Sequence, residues 1–283
     1  MANNDLTYSD SLFSSNPEIT YVPIEEVKNY SDLINLDIDD ALYLLGDPVM
    51  KWGGAIGTAP TLSYSFNQGG PLVLDSEYSQ DFDTAFGTGA AQYFEDISAT
   101  NSDLHVLDFS LTEQKIVENA LQDWSSATGI NFVENDLNIS PYGDLHFTKI
   151  DFAAFYDATG YDDFLSGGFA FLPTEDSAIA GDVFLPLDLF DSGEFVTIST
   201  VSHEIGHAIG LEHPHHGYLS VGDGNSPYED DINNNNTVMT YDSSTYDFPA
   251  SYLPVALMPY DIVAAELIYG GSNYNAGDNF YEF

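Results

Sequence analysis

Eleven consecutive residues restrict this chain more than any other stretch: His203-Glu204-Ile205-Gly206-His207-Ala208-Ile209-Gly210-Leu211-Glu212-His213. His203 and His207 are four positions apart, so on a helix they project from one face. At 100° per residue the apolar Ile198, Val201, Ile205 and Ile209 fall within about 80° of one another, and both histidines lie on the opposite side. The periodicity predicts a helix from about 196 to 209. Gly210 can take the positive φ that ends a helix and turns the chain back, which returns His213 towards the two imidazoles.

Three neutral imidazoles are a ligand set for Zn²⁺ that leaves one coordination position open, the arrangement of catalytic rather than structural sites. Glu204 stands beside the first ligand and is not needed as one. It is placed to accept a proton from a water in the open position and to deliver it to a leaving amine, which is metal-assisted amide hydrolysis. Five positions of the pattern are fixed, so a random chain of this length matches at a frequency on the order of 10⁻⁴. A helix with merely solvated histidines is the plainer alternative, but three of the 7 histidines stand in register with Glu and Gly.

These eleven residues resemble the zinc signature of the metzincins, whose second landmark is a methionine turn beneath the metal. Val238-Met239-Thr240-Tyr241 is similar to that turn. A Tyr two residues after the Met resembles the serralysins and astacins, and the resemblance implies that Tyr241 is an additional zinc ligand that moves aside to stabilise the oxyanion. It also implies that Met239 packs under the metal. Lys51-Trp52-Gly53, Thr61 to Phe66, the Leu121 to Trp124 helix, Gly167-Gly168-Phe169-Ala170, Gly181-Asp182-Val183-Phe184, His213-Pro214 and Asp261-Ile262 through Tyr269-Gly270 are similar to serralysin in the same order. By the same resemblance, the strand at Phe169 to Leu172 is the edge above a cleft, where an extended substrate would add as a strand. The Gly-Gly-x-Gly-x-Asp calcium repeats that follow in serralysins do not occur in this sequence, so the chain is expected to be a catalytic fragment of a longer protein or a form without the repeats.

Composition sets the surroundings. Against 46 acidic residues stand 4 lysines and no arginine, a formal net charge of −42, which argues against nucleic-acid and anionic-membrane partners, since both are held through Lys and Arg. The acidity reads as a strongly hydrated surface for saline or calcium-rich surroundings: in roughly 0.5 M salt the screening length is about 4 Å, so self-repulsion is damped. With 43% hydrophobic and 14% aromatic residues the chain has the material for a core, and with no Cys it has neither disulfides nor thiolate ligands. Asp223, Asn225, Glu229, Asp230 and Asp231 are dense enough in oxygen to hold Ca²⁺, although their spacing is not that of an EF-hand loop. His215 and His216 read as a surface loop at the cleft rim, His105 and His146 as isolated residues, and Asp47 in Gly46-Asp47-Pro48 as part of a turn.

Along the chain, residues 1–45 read as an N-terminal arm or propeptide-like segment with weak helical periodicity from Ile24 to Leu45. Residues 46–283 read as one catalytic domain, an N-terminal subdomain to about 213 and a smaller C-terminal one from 214. Period-two alternation predicts a strand at Thr61–Phe66, and short strands are expected at 130–133, 145–147, 168–172 and 182–185. Ser110 with Glu113 forms a capping box for a helix ending near Gly129, and a last helix starts at Pro259 and stops at Gly270-Gly271. The expected fold is α+β: a twisted mixed sheet with an antiparallel edge strand and a long active-site helix. The expected function is that of a secreted, monomeric zinc endopeptidase acting on protein substrates, with His203, His207, His213 and Tyr241 on the metal and Glu204 and Tyr241 catalytic. The competing readings are a non-catalytic binding module that has kept the metzincin fold, and a protease that processes its own chain.

Overall fold

A computed structural model of the protein describes residues 17–34, 41–67, 76–86, 90–91, 106–135, 142–153, 155, 167–175, 177–214, 233–241 and 253–271. Eight strands occur among them: β1 (Ile19–Val22), β2 (Val49–Trp52), β3 (Thr61–Phe66), β4 (Val106–Leu107), β5 (Asn131–Glu134), β6 (Leu145–Ile150), β7 (Phe169–Ala170) and β8 (Val183–Pro186). The main helices are α1 (Ile24–Ile34), α2 (Ser76–Phe86), α3 (Leu111–Thr128), α4 (Glu194–Ala208) and α5 (Pro259–Tyr269).

The larger sheet runs β5-β3-β6-β8-β7, and β4 pairs with β6 beside it. β5, β3, β6 and β8 are mutually parallel, whereas the edge strand β7 lies antiparallel on β8, with Phe169 opposite Phe184. This is the expected mixed sheet with an antiparallel edge. The regular strand covers Phe169–Ala170 of the expected 168–172, and the pairing continues through Phe171, whose amide donates to the Asp182 carbonyl at 3.0 Å and whose carbonyl accepts the Gly181 amide at 3.0 Å, before Pro173, which has no N–H to give a ladder.

Successive residues of β6 face opposite ways. Leu145 and Phe147 enter the main core with Trp124, Val183, Val201 and Ile205, while Ile150 belongs to a second, aromatic core with Tyr78, Phe82, Phe169 and Phe184 under α2. Helix α3 opens on the expected capping box: the Glu113 amide donates to Ser110 Oγ at 3.3 Å, and Glu113 Oε2 accepts the Ser110 amide at 2.5 Å. It closes on Gly129 at φ 75°.

Residues 17–34 fold back on the body. β1 pairs antiparallel with β2, from Ile19 opposite Trp52 to Val22 opposite Val49, and Val22, Ile24 and Val27 are buried in the main core. Asp47 sits at the start of α1, where its carboxylate accepts the Ile24 amide at 3.4 Å. Burying a Val, Leu or Ile side chain contributes roughly 1.5–3 kcal/mol, so these few contacts hold the segment firmly.

Candidate metal centre

Helix α4 packs beside α3 and against β7 and β8. Val201, Ile205 and Ile209 are fully buried as their periodicity requires, but the opposite side is buried as well: His203 is 6% exposed, Glu204 4% and His207 9%. A polar helix face survives burial only if its groups are satisfied. His203 Nδ1–H donates to the Val238 carbonyl at 2.7 Å, and His207 Nδ1–H donates to the Leu211 carbonyl at 2.7 Å. These bonds fix both tautomers and leave each Nε2 as a bare lone pair.

The turn that brings in the third histidine is built by Gly210. Its φ is 107°, and a Cβ there would run into the Met50 carbonyl oxygen, so neither the conformation nor the space admits a side chain. The Nε2 atoms then converge: His203 to His213 3.0 Å, His207 to His213 3.0 Å, His203 to His207 3.1 Å. Between His203 and His207 there is no proton to share, so two lone pairs face each other at a separation that a cation would relieve. A tetrahedral ion with N ligands at about 2.0–2.1 Å sets its ligand atoms about 3.3 Å apart, within a few tenths of an ångström of the observed triangle. The donor set, its spacing and the carbonyls behind the rings therefore fit Zn²⁺. Among the described residues, no other group of three His, Asp or Glu side chains brings ligand atoms together in this way.

Burial pushes the Glu204 carboxyl up to about 8. Gly168, just ahead of β7, comes against it: a Cβ at 168 would stand 3.1 Å from Glu204 Oε1 and 3.0 Å from the Phe184 carbonyl oxygen. Tyr241 is 70% exposed and lies over the cluster, its ring centroid 4.6 Å from that of His213 and 5.4 Å from that of His203. Although the ring is exposed, loss of solvent at its hydroxyl end, with the Glu204 charge adding to it, pushes the phenol up to about 12.

The methionine turn is anchored by a residue whose role the sequence does not reveal. Asp261, fully buried in the first turn of α5, accepts the Thr237 hydroxyl at 2.6 Å, the Val238 amide at 2.9 Å and the Met258 amide at 2.8 Å. Its carboxyl is nonetheless pushed up to about 7 by burial, against the pull of those donors. Since the Val238 carbonyl orients His203, Asp261 acts on that histidine through the backbone of one residue. Met239, fully buried, lies in the main core beside Trp124 and Ile205.

The structure thus brings His203, Glu204, His207, His213, Met239 and Tyr241 into one place. His215, His216, the Asp223 to Asp231 cluster and His105 lie outside the described residues. His146, read as isolated, is 3% exposed, on the sheet face away from α4.

No protein-family model matches the chain. Serralysin A of Dickeya chrysanthemi is 27% identical over 236 residues, covering 78% of this chain and 47% of that protein. Serralysin C of the same organism is 26% identical over 273 residues, 87% of this chain and 55% of its own length. Metallopeptidase AprA of Pseudomonas marginalis is 26% identical over 253 residues, 82% and 50%. The chain spans about half the length of the curated relatives it matches. The similarity to serralysin-type metzincins read from the zinc signature therefore extends over most of this chain, and the mixed α+β architecture is consistent with it.

Proposed function

From the likeness to the serralysins we propose that the chain is a zinc-dependent endopeptidase that hydrolyses peptide bonds of extracellular proteins. The observation that carries this reading is the triangle of imidazole nitrogens at 3.0–3.1 Å with the buried Glu204 carboxyl in the residue after the first of them. His203, His207 and His213, joined by Tyr241, are the residues that would hold Zn²⁺. When bound, the ion supplies a Lewis acid that makes a water nucleophilic near neutral pH.

The chain's own groups supply the rest. Glu204 takes a proton from the attacking water on a carboxylate oxygen and returns it to the departing amine, a role that general acid–base groups fill for roughly 10²–10⁴ in rate. The Tyr241 phenol, still protonated, donates a hydrogen bond to the substrate oxygen as it becomes anionic. Among the described residues β7 is the edge strand of the larger sheet, next to α4, where an extended peptide backbone would pair. In this reading residues 46–283 are the catalytic unit and His213 marks the division between its two subdomains. Secretion is proposed from the relatives, and among the described residues no helix is long and apolar enough to cross a membrane.

Elemental analysis of the purified chain, together with casein cleavage with and without a zinc chelator, tests the proposal. About one zinc per chain with chelator-sensitive cleavage is expected, and Glu204→Gln should keep the zinc and the fold while losing cleavage. An active Glu204→Gln variant would refute the mechanism, and a chain that holds zinc but cleaves nothing would favour a binding module on the same fold.

A further inference from the structure

Lys51-Trp52-Gly53 is a segment that the proposed chemistry leaves without a task, yet it touches the end of the metal helix. A helix leaves its last four carbonyls without intrahelical donors. In α4 three of these are met by the turn itself: Ile205 O accepts the Ile209 amide at 3.0 Å, Gly206 O the Leu211 amide at 2.9 Å and His207 O the Gly210 amide at 2.9 Å. Ala208 O is met instead by the Trp52 Nε1–H at 2.8 Å, from 156 positions away. The next carbonyl, Ile209 O, is met by the Tyr269 hydroxyl at 2.6 Å, from 60 positions away.

The two donors are coupled, since the Trp52 amide donates to the Tyr269 oxygen at 3.1 Å. Both are held from behind by Lys51. Its ammonium is fully buried, donates to the Trp52 and Gly54 carbonyls at 2.9 Å and to that of Thr58 at 3.2 Å, and lies 5.1 Å from the centre of the Tyr269 ring. Two residues past Ile209 is the Leu211 carbonyl that orients His207, and two further on is His213 itself.

We propose that Trp52 and Tyr269 are positioning residues of the metal centre. By capping Ala208 O and Ile209 O they fix where α4 ends, and so the path of the Gly210 turn that sets His207 and His213 against His203. This rests on the zinc reading above, and it asks for a loss in metal affinity beyond any loss of fold.

The test is the Zn²⁺ dissociation constant of Trp52→Phe and Tyr269→Phe, by competition with a chromophoric chelator, alongside the urea midpoint of each metal-free protein. The control is Phe82→Leu, which damages the aromatic core under α2, across the sheet from α4. Both cap variants should bind zinc at least 10-fold more weakly, as removal of groups behind metal ligands commonly does. Their Co²⁺-loaded forms should show altered visible absorption, and Phe82→Leu should lose stability with its affinity unchanged. Cap variants within twofold of wild type, or a control that weakens as much as they do, would overturn the proposal. If Trp52→Phe does not fold, Tyr269→Phe, which removes a single oxygen, decides by the same criteria. A wild-type chain that binds no zinc would instead overturn the functional reading itself.

Discussion

Replacing His146 by Asn should remove a block of acid sensitivity whose size follows from its surroundings. Ser65 Oγ accepts the Gly143 amide at 2.8 Å and is hydrogen-bonded to His146 Nδ1, 2.8 Å away. Nε2 is buried without a hydrogen-bond partner, and Tyr142 packs edge-on against the ring at 4.9 Å. Asp182 accepts the His146 backbone amide and the Tyr78 hydroxyl and is itself pushed well up by burial, so it offers little negative charge. Burial accordingly pushes the His146 pKa down from 6.5 to about 4. Below pH 6.5 the unfolded chain takes up a proton that the folded chain refuses, so stability falls as pH drops from 6.5 to 4 and the effect is complete below 4. A gap of about 2.5 pH at 1.36 kcal/mol each gives about 3 kcal/mol. Urea unfolding of the metal-free proteins at pH 7, 6, 5 and 4, at constant ionic strength, measures it. Asn can keep the bond to Ser65, and the variant should be weaker at pH 7, yet the difference between the two proteins should shrink by about 3 kcal/mol on reaching pH 4. A difference that stays constant would mean that Asp182 ionises to receive the imidazolium, and the account of this face as an uncharged interior would be wrong.

Asp261→Asn should lower stability by about 2–3 kcal/mol, because an amide cannot accept from Thr237, Val238 and Met258 together, and chemical denaturation at pH 8 would show an unchanged midpoint if the network were idle. Gly210→Ala should cost at least about 2 kcal/mol from its φ of 107° alone and should sharply reduce bound zinc, measured by elemental analysis; full zinc content would mean that the turn relaxes without disturbing His213. Raising NaCl from about 0.02 to about 0.5 M should raise the urea midpoint, since a net charge of −42 is screened at about 4 Å in the stronger salt, and an unmoved midpoint would remove the case for a saline setting.

What could be read from the sequence was whatever depends on neighbours a few positions apart. The capping box at Ser110 and Glu113, the stop at Gly129 and the helix-and-turn of His203 to His213 are local, and each stands within a residue or two of its expected place. Helix α4 begins at Glu194 rather than 196, a difference of the size by which helix ends ordinarily fray. Helix α2 went unread because its apolar positions in Ser76–Phe86 are few, Tyr78, Phe82 and Phe86 amid acidic and polar residues, and their packing under the sheet is a tertiary fact. The same holds for β1, whose pairing with β2 spans some thirty residues, and for Lys51, which no pattern of charge would place among carbonyls in the interior. At the centre itself, the three histidines lie within eleven residues, and so does Leu211, which orients His207, but the other groups that hold them do not. Val238, Asp261, Trp52 and Tyr269 reach α4 only through topology, and one-dimensional spacing carries no trace of a bond across 156 positions.

That division has a physical reason that bears on function. A metal site needs its ligand atoms close enough together to share one ion, and the cheapest way to bring three imidazoles that close is a helix face plus one sharp turn, a local device. Such a face is polar, and the fold buries it on a helix already apolar on its other side, so its remaining hydrogen-bonding capacity must be met from elsewhere in the molecule. The outward-facing atoms of the rings are met in this way: His203 Nδ1 by Val238 O, His207 Nδ1 by Leu211 O, and the carbonyls at the helix end by Trp52 and Tyr269. The three Nε2 atoms lie 3.0–3.1 Å from one another. His203 is held from behind by the distant Val238, His207 by the turn itself, and the end of α4 by Trp52 and Tyr269, so if the three imidazoles share an ion, as proposed above, the distant donors at the helix end should matter to metal affinity as well as to stability.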